Sequence, residues 1–232
     1  MDVIQRGAER ARLGPWRGDP ETAHLAPAPG SSALSHTFVE HCAARAAMAG
    51  YKRMVSGALS PSERNGFERA GFVLMEHLHL LAHDLDDVAG SVTSAAELRR
   101  GHHEDHAAVL AVDALAFSPF WQLDTDGITD AIGATPAARY RVAIDGRDLV
   151  GYAITGRAGR RGYVQRLAVH PDHQRRGIGS ALVLDGLRWL RRWRVTTALV
   201  NTQRENASAY ALYVALGFRP QPSGLAVLTR EL

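Results

Sequence analysis

One stretch constrains the fold more than any other. It reads Tyr163-Val164-Gln165-Arg166-Leu167-Ala168-Val169-His170-Pro171-Asp172-His173-Gln174-Arg175-Arg176-Gly177-Ile178-Gly179. The apolar run is a buried strand ending at His170-Pro171, a short loop follows, and a helix starts at the glycines. That order exposes successive backbone N–H groups at the positive end of a helix dipole, which is an anion site. Glycines at 177 and 179 let a phosphate approach those amides, and Arg175 and Arg176 stand beside them.

The elements around this unit alternate as in an α/β protein. Gly177–Trp193 reads as a long helix with Ile178, Leu182, Leu187, Leu190 and Trp193 on its inner face. Thr196–Asn201 is a strand, Asn206–Leu216 a helix and Leu225–Leu232 a final strand. Upstream, Arg139–Ile144 and Leu149–Thr155 flank the turn Asp145-Gly146, a hairpin pattern. Glu104–Phe117 is a helix ended by Ser118-Pro119, residues 126–133 suggest a second, and Leu98-Arg99 is a short strand.

In the first part of the chain, residues 1–35 are broken by glycines and prolines and read as irregular or as short edge strands. Ser35–Ala49 is a helix stopped by Gly50, and Arg53–Leu59 is strand-like. Ser60, Pro61 and Glu63 spell a capping box at the start of a further helix. Val73–Leu85 is strand-like again. The breaks at Asp86-Asp87 and Gly90-Ser91 mark a linker, so the expected domains are 1–93 and 94–232. A weak repeat links them: Gly71-Phe72 and Gly217-Phe218 each end a helix, which places Phe67 opposite Tyr213. No glycine loop like 177–179 occurs before residue 90.

Length and composition narrow the class. At roughly 100–200 residues per domain, 232 residues make one or two. With 46% apolar and 22% charged residues, wholesale disorder is excluded. No run approaches the ~18 apolar residues of a membrane span. Met1 to Arg17 carries Arg6, Glu9, Arg10 and Arg12 and lacks the apolar core of a secretory signal, so a cytoplasmic protein is expected. Cys42 is the sole cysteine, excluding an intramolecular disulfide. A net charge of +3 is far from that of a dedicated nucleic-acid binder.

Two spacings are more specific than the glycines alone. Gln174–Gly179 fits Q/R-x-x-G-x-G/A after Leu-Ala-Val-x-Pro, and Asn206–Phe218 reads Asn-x-x-Ala-x-x-Leu-Tyr-x-x-x-Gly-Phe. Together they resemble the GNAT superfamily of acyl-CoA-dependent N-acyltransferases over Ala95–Leu232. The second pattern is most similar to bacterial ribosomal-protein N-terminal acetyltransferases. The resemblance implies a mixed central β-sheet flanked by helices, preceded by a reduced, non-catalytic GNAT-like half. It implies acetyl-CoA as co-substrate, with its pyrophosphate on the loop Gln174, Arg175, Arg176, Gly177, Ile178, Gly179 and Ser180. Leu167, Ala168 and Val169 would meet the pantetheine through main chain, and Asn206 the cofactor arm. Tyr213 would stand near the thioester sulfur as general acid, since a phenol of pKa ~10 suits a thiolate of ~8.5. Each has a plainer alternative, Asn206 as a helix N-cap and Tyr213 as a core aromatic.

One departure concerns the base. Related N-terminal acetyltransferases place a glutamate where this chain has Asn201, and the position often held by glutamate on the preceding strand is Gln165. Neither accepts a proton, so a water held by one of them, or an acceptor that arrives neutral, is required; His170 reads chiefly as a strand-end residue. Trp121 lies in the loop that lines the acceptor site in the superfamily, as a substrate wall or as a loop anchor. Of the remaining polar clusters, His102-His103-Glu104-Asp105-His106 reads as a helix start and no metal site is expected. His77, His79 and His83 read as solvent- or substrate-facing, and Arg157, Arg160 and Arg161 as a solvated turn. The expected activity is acetyl transfer to a primary amine, first a protein N-terminus and second a small-molecule amine. The rival is an acyl-CoA-binding sensor without turnover. A monomer or homodimer that binds neither nucleic acid nor membrane is expected.

Overall fold

The computed structural model describes residues 2–28, 30–88, 90 and 92–232, so Met1 and Ser91 of the predicted linker lie outside the described residues. In chain order the elements are β1 (Asp2–Arg6), β2 (Glu9–Trp16), β3 (Asp19–Pro27), α1 (His36–Met48), β4 (Arg53–Ser56), α2 (Pro61–Arg69) and β5 (Val73–His83). There follow β6 (Glu97–Arg100), α3 (His106–Ala116), α4 (Thr125–Gly133), β7 (Ala137–Asp145), β8 (Asp148–Ala158) and β9 (Arg161–Val169). The chain ends with α5 (Ile178–Arg192), β10 (Thr197–Gln203), α6 (Ala207–Ala215), β11 (Arg219–Pro220) and β12 (Leu225–Glu231). This is a mixed α/β fold with helices flanking the strands. Among the described residues no helix is long and apolar enough to cross a membrane.

Two compact units divide the chain. One comprises Met1–Leu80, Thr202–Glu205 and Gln221–Leu232, the other Leu81–Asn201 and Asn206–Pro220. They do not follow the linear split at 93/94, because the last strand of the chain belongs to the first unit. There β12 runs antiparallel to both β4 and β5, with Thr229 opposite Val55 and Leu225 opposite Leu78. Ala226, Val227 and Leu228 are buried.

Within the first unit, residues 1–35 are more regular than the sequence suggests. They form an antiparallel meander, β1 with β2 and β2 with β3, and β3 then pairs with β4 in parallel through α1. Gly7 (φ 61°) and the Arg17-Gly18 pair (φ 47° and 76°) make the tight turns. Pro15 sits at a register shift, where a missing N–H costs no ladder bond. The breakers that argued against strands are therefore the punctuation between them. α1 packs Phe38, Val39, Cys42 and Ala46 into this unit's core, and the capping box at Ser60 and Glu63 opens α2.

The second unit has strand order β10-β9-β8-β7-β6, antiparallel except for the parallel pair β9–β10. α5 buries Ile178, Leu182, Leu187 and Leu190 on one side of the strands. Trp193, expected on the same inner face, is 55% exposed because the helix ends at Arg192, and the Arg157 guanidinium lies 4.4 Å from its ring centroid. His83, read as solvent- or substrate-facing, is buried. Its ring stacks edge-on against Phe218 at 5.2 Å, and its Nδ1 accepts the Leu85 N–H. The order hairpin, third strand, helix, parallel strand, helix is thus common to β1–α2 and β7–α6.

Candidate active site

The residues expected to bind acetyl-CoA and its acceptor lie in the second unit, those for acetyl-CoA around the point where β9 and β10 part. The two strands pair only at Arg161–Tyr163 against Thr197–Leu199. Beyond that, β9 continues to Val169 with its other edge held by β8, Leu167 opposite Ala153 and Val169 opposite Gly151. The β10-facing main chain from Val164 onward therefore borders a cleft between parallel strands. An extended ligand arm can hydrogen-bond there as a strand would.

At the far end of β9 the chain makes a tight turn at Pro171–His173 and enters the loop before α5. Arg175 (φ 61°) and Gly177 (φ 77°) are both left-handed, a backbone that gathers N–H groups into a concave nest. Among the described residues the helical bonds of α5 begin with Ala181 N–H to Gly177 O, so the N–H groups of Ile178, Gly179 and Ser180 precede the hydrogen-bonded turn. The two glycines serve different ends. A Cβ on Gly177 would meet the Thr93 carbonyl oxygen at 2.0 Å, so this position is dictated by positive φ and by the passing backbone. A Cβ on Gly179 would meet Leu212 Cδ2 at 3.3 Å and Val169 Cγ2 at 3.7 Å, so here the absent side chain keeps the space beside α6 open. Arg176 pairs with Asp145 at 2.8 Å and leans on His173, which steadies the loop against the β7–β8 turn. Gln174 donates to the Val169 carbonyl at 3.3 Å. His170 Nδ1 accepts the Asp172 N–H and so caps the turn.

α6 closes the other side of the cleft. Asn206 is its N-cap, its Oδ1 accepting the Ala209 N–H and the Ser208 hydroxyl at 3.0 Å each. Tyr213 is 5% exposed, with its ring 5.6 Å from Phe218, and burial pushes its phenol well above the ordinary range. It therefore stays protonated, and the same shift makes it a weaker acid than a free phenol.

β9 carries one irregularity. Thr155 pairs with Val164 and Ile154 with Arg166, leaving Gln165 as a bulge residue. The bulge sends two consecutive side chains to the same face. Val164 and Leu167 pack on the α5 side, whereas Gln165 lies by Gly156 and Thr135 and Arg166 against α3. The Gln165 Oε1 is buried without a hydrogen-bond partner among the described residues. Asn201 is exposed on β10. Trp121 lies in the turn Pro119–Trp121 after α3.

A family model described as Acetyltransferase (GNAT) family matches residues 107–218. That segment is a GNAT-family domain. Its curated relatives include the mycothiol acetyltransferase of Streptomyces coelicolor, 35% identical over 123 residues, which are 50% of this chain and 40% of that protein. The likeness thus spans less than half the relative's length. Among solved structures, a GCN5-related N-acetyltransferase from Kribbella flavida superposes with a TM-score of 0.70 at 14% identity, covering 98% of this chain and 88% of the other. A tandem GNAT protein from the clavulanic acid biosynthesis pathway gives 0.68 at 19%, covering 99% and 81%. At such identities the likeness is one of fold.

The GNAT segment contains every motif residue from Leu167 to Tyr213. Sequence reasoning missed a buried polar cluster within it. Asp113 on α3 accepts from Tyr152, from both Nε and Nη2 of Arg166 and from the Leu123 N–H. The signal was available: a carboxylate on the apolar stripe shared by Val109, Val112 and Phe117. The histidine-rich stretch, by contrast, is a helix start, with Asp105 held by Arg99 at 2.6 Å.

Outside the GNAT segment, the first unit contains a matching helix, α1, whose N-cap residue Ser35 is held by a carboxylate. The Glu9 carboxylate accepts the Ser35 N–H and, at 3.1 Å, the Ser35 hydroxyl, while Ser35 caps Phe38 N–H.

Proposed function

We propose that the protein transfers the acetyl group of acetyl-CoA to a primary amine at a single site in its second unit. The observation that carries this reading is the parting of β9 and β10 directly beside an amide nest that opens α5. The residues fit the co-substrate. Amides of Arg176–Ser180 suit its pyrophosphate, with Gln174 and Arg175 at the rim, and the free edge of β9 at Leu167–Val169 suits its amide-bearing arm. Asn206, although used as a cap, retains an amide NH₂ for the same arm.

Acetyl-CoA supplies an activated acyl group in thioester linkage. This chain's residues then have three tasks. Main-chain N–H groups of β9 stabilise charge that develops on the carbonyl oxygen. The Tyr213 phenol, kept neutral by burial, donates a proton to the departing thiolate. Gln165 and Asn201, which are not bases, hold a water that takes the proton from the amine, or the amine enters neutral. The acceptor reaches the bulged face of β9, between Gln165 and Trp121.

The internal repeat supports one site rather than two. In the first unit the matching helix has no glycine pair like 177 and 179 before it, and the Glu9 carboxylate held at its N-cap Ser35 would repel a phosphate. A small-molecule amine is favoured over a protein N-terminus by the name of the mycothiol acetyltransferase relative. Thiol release from acetyl-CoA against a panel of small amines and N-terminal peptides tests the reading. Calorimetric binding of acetyl-CoA without release for any amine would favour the sensor.

A further inference from the structure

We infer that Arg166, locked to Asp113, is a positioning residue that holds the loop 118–123, with Trp121, as the acceptor wall against the bulge of β9. This rests on the acetyl-transfer reading for what the wall does, but not for its construction.

The pair is buried on both sides. The Asp113 side chain is fully buried and that of Arg166 is 9% exposed. Arg166 makes a two-pronged contact, Nε and Nη2 each 2.8 Å from a different Asp113 oxygen, and its guanidinium lies 3.5 Å from the Phe117 ring centroid. The Tyr152 hydroxyl donates to the same carboxylate, its phenol held protonated by burial. A buried ion pair of this sort adds little net stability over well-packed apolar side chains, because desolvation offsets the attraction. Its product is geometric.

Two of its hydrogen bonds go to the backbone of the loop. Arg166 Nη2 donates to the Trp121 carbonyl at 2.7 Å, and Asp113 Oδ1 accepts the Leu123 N–H at 2.7 Å. Between them, Gln122 Nε2 donates to the carbonyls of Ala114 and Phe117 at 3.0 and 3.1 Å. Three successive loop residues are thus clamped to α3 and β9. The clamp reaches β9 at the residue after Gln165, on the face to which the bulge turns both side chains. The amide nest and α5 pack on the opposite face, through Leu167, Val169 and Ile178. Arg166 therefore governs the acceptor side and leaves the co-substrate side alone.

Arg166→Lys keeps the charge and loses the fork. It should raise the acceptor KM or lower kcat/KM for the acceptor about 10- to 100-fold, the scale of a misplaced wall. The calorimetric Kd for acetyl-CoA should stay within about twofold. Asp113→Asn, which leaves the buried Arg166 charge unpaired, should move the same quantities in the same direction with a larger loss of Tm than Arg166→Lys. Arg139→Lys is the control, since Arg139 makes a comparable pair with Asp185 toward α5. It should lower Tm without moving the acceptor KM. Hydrogen exchange in residues 118–124 should quicken in Arg166→Lys and stay unchanged at the start of α5. An unchanged acceptor KM, or equal losses for acceptor and acetyl-CoA, overturns the inference. If the wild type turns over no amine, the acetyl-transfer reading falls, and exchange alone decides: unaltered protection at 118–124 refutes the clamp, faster exchange supports it.

Discussion

Phe67 and Tyr213 stand at the same point of one helix-end motif. The carbonyl of each accepts the N–H of the phenylalanine five residues on, Phe72 at 3.1 Å and Phe218 at 3.0 Å, around a left-handed glycine with φ 80° at Gly71 and 91° at Gly217. Both aromatic pairs meet edge-on, at 5.2 Å and 5.6 Å. This is the Schellman way of ending a helix, and it draws on backbone bonds and an apolar contact but no hydroxyl. The phenol of Tyr213 is therefore surplus to the motif.

Tyr213→Phe should accordingly fold with little change in Tm. If the phenol is the proton donor, kcat falls ~10²- to 10⁴-fold while acetyl-CoA affinity holds. Because burial raises the phenol's pKa, the rate should show no alkaline decline from Tyr213 up to about pH 10. Equal kcat in variant and wild type would falsify the acid role.

The two loop glycines should separate by effect. Gly177→Ala meets a backbone carbonyl at positive φ and should lower Tm by several degrees. Gly179→Asp has only a leucine methyl to displace, and brings a carboxylate to the pyrophosphate amides. It should abolish acetyl-CoA binding in calorimetry with a near-native melt. Retained affinity would move the co-substrate elsewhere.

Stoichiometry distinguishes the two repeats. The wild-type chain should bind one acetyl-CoA, and Glu9→Gln, which removes the repelling charge but cannot supply the missing glycine loop, should leave that number unchanged while lowering Tm. Two binding events in the wild type would show that the carboxylate does not exclude the ligand.

The first unit depends on the last strand of the chain. Leu228 is 1% exposed in its core and donates its N–H to Ser56 Oγ at 2.8 Å. Leu228→Ala should cost about 2–5 kcal/mol in urea unfolding. A fragment of residues 1–93 lacks this strand and should show no cooperative melt by circular dichroism. Fusing residues 221–232 to it should restore one. A cooperative melt in the bare fragment would contradict the assignment of β12.

Acid should weaken the same unit. Burial lowers the His24 pKa to about 4, beside Trp16 at 5.1 Å and with its Nδ1 unpartnered among the described residues. The folded chain keeps His24 neutral while the unfolded chain protonates it below its ordinary 6.5. Stability is thus fully present above about 6.5 and drains away as the pH falls toward 4. His24→Phe should show a smaller drop in Tm between pH ~7 and ~4.5 than wild type; an identical drop would assign the acid sensitivity to other groups.

Local chemistry was legible in short spans of the chain. Helix starts at Ser35, Ser60, Asn206 and Gly177, the hairpin at Asp145-Gly146, and the helix ends at Gly71 and Gly217 are written in residues a few positions apart, because caps and turns are satisfied by near neighbours. The strand–loop–helix unit at 163–179 was legible for the same reason. Long-range pairing set the remainder. That β12 completes the first unit, and that His83 turns inward, depend on pairings between residues far apart in the chain. The bulge that turns Gln165 and Arg166 to one face is a matter of register with β8, which no single strand encodes. The Asp113–Arg166 clamp joins positions 53 residues apart. A charge on an apolar stripe hints that a partner exists, but burial and desolvation select which one only after the chain has folded.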